Sequence, residues 1–155
     1  MKITNNQVFS AHNYLSSLKL GKFDKDVRVA IFKNVGELSV MIKEVQDKLE
    51  ASKKELFKDL EEDAQKVAAL REEFNKEETT KERKEAIIKE LITFEDYLKA
   101  EKEFVEITET YGKDEVEIKL CTIDFGKFSE GLAQSDIDFT AGQLQAISFL
   151  FNKIK

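Results

Sequence analysis

The chain has 155 residues, of which 36% are charged and 41% hydrophobic, with a net charge of -6, no proline, no tryptophan and twelve phenylalanines. That length suits one domain with enough apolar content to fold, while the acidic balance is a poor match for duplex nucleic acid or an anionic membrane, which select concentrated basic surface. One cysteine, Cys121, and one histidine, His12, exclude an intrachain disulfide and any multi-cysteine or Cys2His2 zinc site.

The opening MKITNNQVFSAHNY lacks the apolar run of a secretory signal, and no stretch approaches the ~20 apolar residues that span a bilayer. The expectation is a soluble protein of a reducing cytoplasm. Thr4 and Gln7 have capping-box spacing and predict a first helix over about 5–17, with Val8, Phe9, His12, Leu15 and Leu18 toward its apolar side. Residues 18–23 alternate briefly around Gly21 and predict a short strand.

Asp24 is a good N-cap for a second helix, in which Val27, Ile31, Val35, Leu38, Ile42, Val45 and Leu49 recur at three- and four-residue steps. Leu56, Leu60, Val67, Leu70 and Phe74 continue the seam after a stutter, through which the helix is expected to run unbroken. Gly36 is its weak point, the place for a kink or a close helix contact. The rhythm breaks at 75–80, where Thr79 with Glu82 has capping-box spacing, and resumes at Ile87, Leu91, Phe94, Leu98 and Val105. A tip near Glu77 and Glu78 would set Phe74 against Arg83, Leu70 against Ile87, Val67 against Leu91 and Leu60 against Leu98.

Val116, Ile118 and Leu120 alternate with Glu117 and Lys119, the clearest strand pattern in the chain, and the 18–21 segment is the expected partner. Thr140 with Gln143 then opens a last helix. The resulting expectation is a mainly α single domain over 1–155. A small α+β base, 1–45 plus 109–155, with a short two-stranded β element, carries a coiled-coil-like antiparallel helical hairpin, 46–108, reaching roughly 45 Å.

Chemistry finds few parts. His12 reads as a core-edge histidine and Cys121 as a packing residue; Glu61-Glu62-Asp63 reads as a solvated face, and Asp136 with Asp138 lacks the further ligands of a cation loop. Lys53-Lys54 and Lys81 to Lys84 are diluted by acidic neighbours. No phosphate-loop, nucleophile-elbow or zinc-hydrolase motif occurs, so no catalytic, cofactor-binding or metal-binding residue is assigned and a non-enzymatic protein is expected. The candidates for protein contact are Phe128, Phe139, Phe149 and Phe151, because Phe149 and Phe151 do not both face inward on one helix.

The Leu18-Lys-Leu-Gly-Lys22 turn, Ala30 to Asn34 opening a charged helix, the Glu115-Val-Glu-Ile118 strand and Thr140-Ala-Gly-Gln-Leu144 opening the last helix together resemble short proteins encoded in tailed-bacteriophage and prophage genomes. The resemblance spans most of the chain and implies a small phage accessory or virion-associated protein of the host cytoplasm, without catalytic residues. The expected activity is protein–protein interaction or assembly, with a phage or host protein or a second copy in a homo-oligomer. A holdase-like assembly chaperone and an acidic regulator of a nucleoprotein complex are the alternatives.

Overall fold

A computed structural model describes residues 1–151, so the last four residues of the 109–155 segment lie outside the described residues. Among the described residues the chain is mainly helical, with seven α-helices and one two-stranded antiparallel sheet. It divides into two compact units, residues 1–46 with 111–155 and residues 47–110.

The first unit opens with strand β1 (Lys2–Thr4) and helix α1 (Asn5–Ser17). The α1 start is fixed as the sequence predicts, since Thr4 Oγ1 accepts from the Gln7 amide at 3.2 Å and Gln7 Oε1 accepts from the Thr4 amide at 2.9 Å. Residues 18–21 are not a strand: Leu20–Lys22 form a 3-10 turn, and β1 takes the pairing role instead. Strand β2 (Glu115–Glu117) runs antiparallel to β1, with Lys2 opposite Glu117, Ile3 opposite Val116 and Thr4 opposite Glu115, and the Ile118 amide extends the ladder to the Met1 carbonyl at 3.0 Å. The competing element won because Ile3 can enter the core from this register, where it is 4% exposed, and the β1–α1 junction places it beside Val8 and Leu15 in one cluster.

Helix α2 (Lys25–Leu56) begins where Asp24 Oδ1 accepts from the Asp26 amide at 2.9 Å. This bond, followed by the nearby Lys127 ammonium, lowers the Asp24 pKa. Val27, Ile31 and Leu38 line the core face, while Val35 and Ile42 are half-buried against it. The helix passes Gly36 without interruption, and a Cβ built there meets nothing within 4 Å, so Gly36 makes no close contact.

Helices α6 (Phe125–Gln134) and α7 (Ala141–Ile147) complete the unit, each with a side-chain cap, from Asp124 and from the predicted Thr140–Gln143 box. Helix α7 packs on α1 and ends in a 3-10 turn, Ser148–Leu150; the Ile123 amide then bonds the Leu150 carbonyl at 2.8 Å. Gly131 in α6 lies so close to the buried Phe23 ring that a Cβ would fall inside 3.0 Å of three ring atoms.

Two buried asparagines tie this unit together, and nothing in the apolar periodicity points to them. Asn34 is 0% exposed; its Nδ2 donates to the Cys121 carbonyl at 2.9 Å and its Oδ1 accepts from the Cys121 amide at 2.7 Å. The side chain thus replaces the strand neighbour that this stretch of backbone lacks. Asn5 donates from Nδ2 to the Tyr111 carbonyl at 2.7 Å, and its amide bonds the Asp114 carbonyl at 3.0 Å.

In the second unit the expected unbroken arms are absent. Helix α2 stops at Leu56, and Asp59 adopts the left-handed region (φ 65°) before α3 (Glu61–Asn75) begins. The chain reverses at 76–80 as expected, although the N-cap of α4 (Lys81–Ile92) is Thr80, accepting from the Arg83 amide at 3.2 Å, rather than Thr79, whose hydroxyl bonds the Glu73 carbonyl. A second break at Thr93 and Phe94 separates α4 from α5 (Glu95–Lys113).

Near the turn α3 and α4 do pair, with Arg83 bidentate on Glu73 at 2.7 and 2.8 Å and Lys84 over the Phe74 ring. Further out the straight hairpin fails. Arg71 Nη1 and Nη2 reach Glu101 Oε1 and Oε2, both at 2.7 Å. A straight hairpin would set Arg71 opposite about residue 86 and leave Glu101 roughly 20 Å further along, beyond side-chain reach. The two breaks therefore bring α5 beside α3 instead of letting it continue α4.

Candidate functional site

Chain breaks that redirect helices also leave their apolar faces imperfectly covered. In the unit 47–110 the buried apolar side chains are Val67, Leu70, Ile87 and Ala100, whereas Leu56, Phe57, Leu60, Phe74, Leu91, Phe94, Tyr97, Leu98 and Phe104 are only half-buried. Several of the latter converge on one groove of about 710 Å³, within the ~300–1,000 Å³ of ligand-binding clefts.

Its walls follow from the breaks. Phe57, in the first residue after α2, packs edge-on to Tyr97 (centroids 5.4 Å, 65°) and to Phe104 (6.3 Å, 79°). Leu60 and Ala64 from the start of α3 and Leu98 and Val105 from α5 complete an apolar lining. Lys53, Glu61, Glu101 and Lys102 form the polar rim. Glu101 is already engaged: the hydrogen bond from Arg71 holds its carboxyl below the usual range, and Glu101 in turn raises the Arg71 pKa. Burial, reinforced by the Glu101 charge, raises the Tyr97 phenol. Within the rim, Lys53 and Lys102 thus face Glu61 without a strong excess of either sign, and the lining recognises shape and apolar surface more than charge.

The residues expected from sequence to make protein contacts lie elsewhere, in the first unit. Phe128 is 0% exposed and is a core residue, its ring 5.6 Å from Phe23, 6.0 Å from Phe139 and 5.3 Å from Phe151. Phe139 also meets Tyr14 at 5.9 Å, Phe151 stacks edge-on against Phe125 at 5.0 Å, and Phe139, Phe149 and Phe151 are each half-buried against the core. The helix ends before Phe149, so the 3-10 turn removes the conflict between Phe149 and Phe151 that suggested an exposed patch.

Other chemistry-bearing residues take structural positions. His12 Nε2 lies 3.0 Å from Ser39 Oγ, a neighbour sequence reasoning did not supply, and Ser39 Oγ donates to the Val35 carbonyl at 2.7 Å. With the hydroxyl proton so directed, the Ser39 oxygen is left to accept from the imidazole in the tautomer that carries its proton on Nε2. Cys121 is a half-buried free thiol whose backbone is held by Asn34. Asp136 (φ 54°) and Asp138 are exposed, and among the described residues no group of three or more His, Cys, Asp or Glu is placed to hold a metal ion. No helix of the described residues is long and apolar enough to cross a membrane.

Compared with protein-family models, curated proteins and solved structures, the chain matches none of them.

The groove could have been suspected from Phe57 and Phe104. Each sits one position off a helical seam, next to Leu56 and Val105, and an aromatic residue displaced from the seam signals a second apolar face.

Proposed function

We propose that the protein is a non-enzymatic interaction protein, a phage accessory or virion-associated component, whose groove in the unit 47–110 receives an apolar helix face from a protein partner. One observation carries the reading: three aromatic rings, Phe57, Tyr97 and Phe104, line an open groove in a unit with a thin buried core. A partner that covers these rings desolvates apolar area worth roughly 25 cal/mol per Å² before the costs of association. Aromatic anchors in such clefts are where binding energy concentrates.

The test compares retention of proteins from source-cell lysates on immobilised wild type and on Leu98→Asp and Phe104→Ala variants, after circular dichroism has verified their helicity. A partner held by wild type and lost by both variants supports the reading. A partner held equally by all three removes the groove from the function.

A holdase reading draws support from a different feature, the exposure of Ile88 and Ile92 on α4, at 48% and 61%. It predicts suppression of client aggregation that falls when both are changed to Lys. Unchanged suppression would remove α4 from that activity.

A further inference from the structure

Helix α2 carries a second apolar face, opposite its core-facing residues. Val29, Phe32 and Val40 are 45%, 67% and 58% exposed, and with Gly36 they fall at steps of three, four and four residues, one stripe on a 3.6-residue helix. Gly36 lies between Phe32 and Val40, and the space outside it is open. A helical side chain leans toward the N-terminus of its helix, so Phe32 leaves that notch unfilled.

We propose that this stripe is a self-association surface on which a second copy of the chain packs antiparallel, Phe32 of each copy entering the Gly36 notch of the other. The pattern is complementary to its own reversal. Turned end for end about the middle of the stripe, Val29 meets Val40 and Phe32 falls within one residue of Gly36. A two-fold axis makes each flank of the stripe face itself. That sets the exposed Lys33 of one copy against the exposed Glu37 of the other, giving two opposite-charge pairs at the centre. Lys25 and Lys43 continue the stripe at its two ends, where they meet with like charge beside the exposed Asp26 and Glu44, which also meet each other; there crossing helices diverge and exposed charges are screened.

The surface is small. A stable interface takes roughly 800 Å² per partner, while a phenylalanine ring offers about 150–250 Å², so the pair is weak and forms at high micromolar concentration. The opening at Gly36 explains how so short a stripe suffices: without a Cβ, two backbones approach closely and the ring is enclosed rather than laid on a flat surface.

Sedimentation velocity on the full chain from about 10 µM to 1 mM reads the association directly. Wild type is expected to sediment faster as concentration rises. Gly36→Leu fills the notch at a helical position with open space around it, so it should abolish association while leaving the melting temperature unchanged or higher. Phe32→Asp should also yield a monomer. Lys33→Glu should weaken the pair at low salt, and adding Glu37→Lys should restore it, as only facing copies in this register require. A wild type that stays monomeric throughout, variants that associate as wild type does, or a charge reversal that restores nothing would overturn the proposal.

Discussion

Replacing Asn34 by alanine removes one side chain and strands two backbone groups. The Cys121 amide and carbonyl, held by Asn34 at 2.7 and 2.9 Å, would each lose their partner next to a position that is 0% exposed. An unsatisfied buried polar group costs about 1–3 kcal/mol, and Cys121 is half-buried, which lets water recover part of it. Asparagine to alanine gains up to ~0.7 kcal/mol of helix propensity in α2. The net expectation is a loss of about 2–4 kcal/mol, a large share of a domain's stability. Asn34→Leu, similar in volume, should lose a comparable amount because the cost lies in the unmet hydrogen bonds and not in a void. Urea unfolding followed by far-UV circular dichroism measures both, provided the slope matches wild type. A loss below about 1 kcal/mol for both variants would refute the argument that this amide substitutes for a strand neighbour.

Other expectations follow from single contacts. The buried Tyr14 hydroxyl has no hydrogen-bond partner among the described residues, so Tyr14→Phe should stabilise the protein by about 1 kcal/mol in urea unfolding at neutral pH. Burial pushes the Tyr14 phenol up to about 12, so the folded state keeps a proton the unfolded chain releases. Stability is therefore independent of this group's titration below pH ~10 and falls as pH rises toward 12, a dependence that Tyr14→Phe should remove. Gly131→Ala should cost about 1–3 kcal/mol by forcing the Phe23 ring aside, although alanine is ordinarily the better helix former; a gain in thermal stability would contradict the close contact. Arg71→Ala should cost no more than about 1 kcal/mol, since the pair is partly exposed, and in wild type the Glu101 contribution is present above the ordinary carboxylate range and fades as pH falls through its lowered pKa. A wild-type-minus-variant difference that grew toward acid pH would contradict it.

Local signals were legible where a side chain closes its own helix. The Thr4–Gln7 and Thr140–Gln143 boxes each mark a helix start, because capping depends on residues three apart in sequence. The reversal at 76–80 was legible for the same reason, though Thr80 took the cap from Thr79. Pairings across the chain were not. The partner of β2 is β1, three residues long and too short to show alternation, while the 18–21 segment has a pattern but forms a 3-10 turn. The breaks at Asp59 and at Thr93 carry neither glycine nor proline, and the residues around them suit a helix; tertiary packing of Phe57 and of the Arg71–Glu101 pair decides there. Twelve phenylalanines made an exposed aromatic patch attractive, yet Phe128 and its neighbours enclose one another in the first unit, and the groove uses Phe57 and Phe104 instead. The exposed stripe on α2 was present in the spacing of Val29, Phe32 and Val40, hidden behind the stronger core seam that shares the helix.

The central claim is that the groove of the unit 47–110 is covered by a protein partner, and a photo-crosslinking residue at Val105, 55% exposed on the groove wall, tests it most directly. Irradiated in source cells, it should yield one discrete adduct that disappears when Leu98→Asp is added and is absent when the crosslinker sits instead at Glu109, outside the lining. The same adduct from both positions, or its persistence in the Leu98→Asp background, would contradict the account.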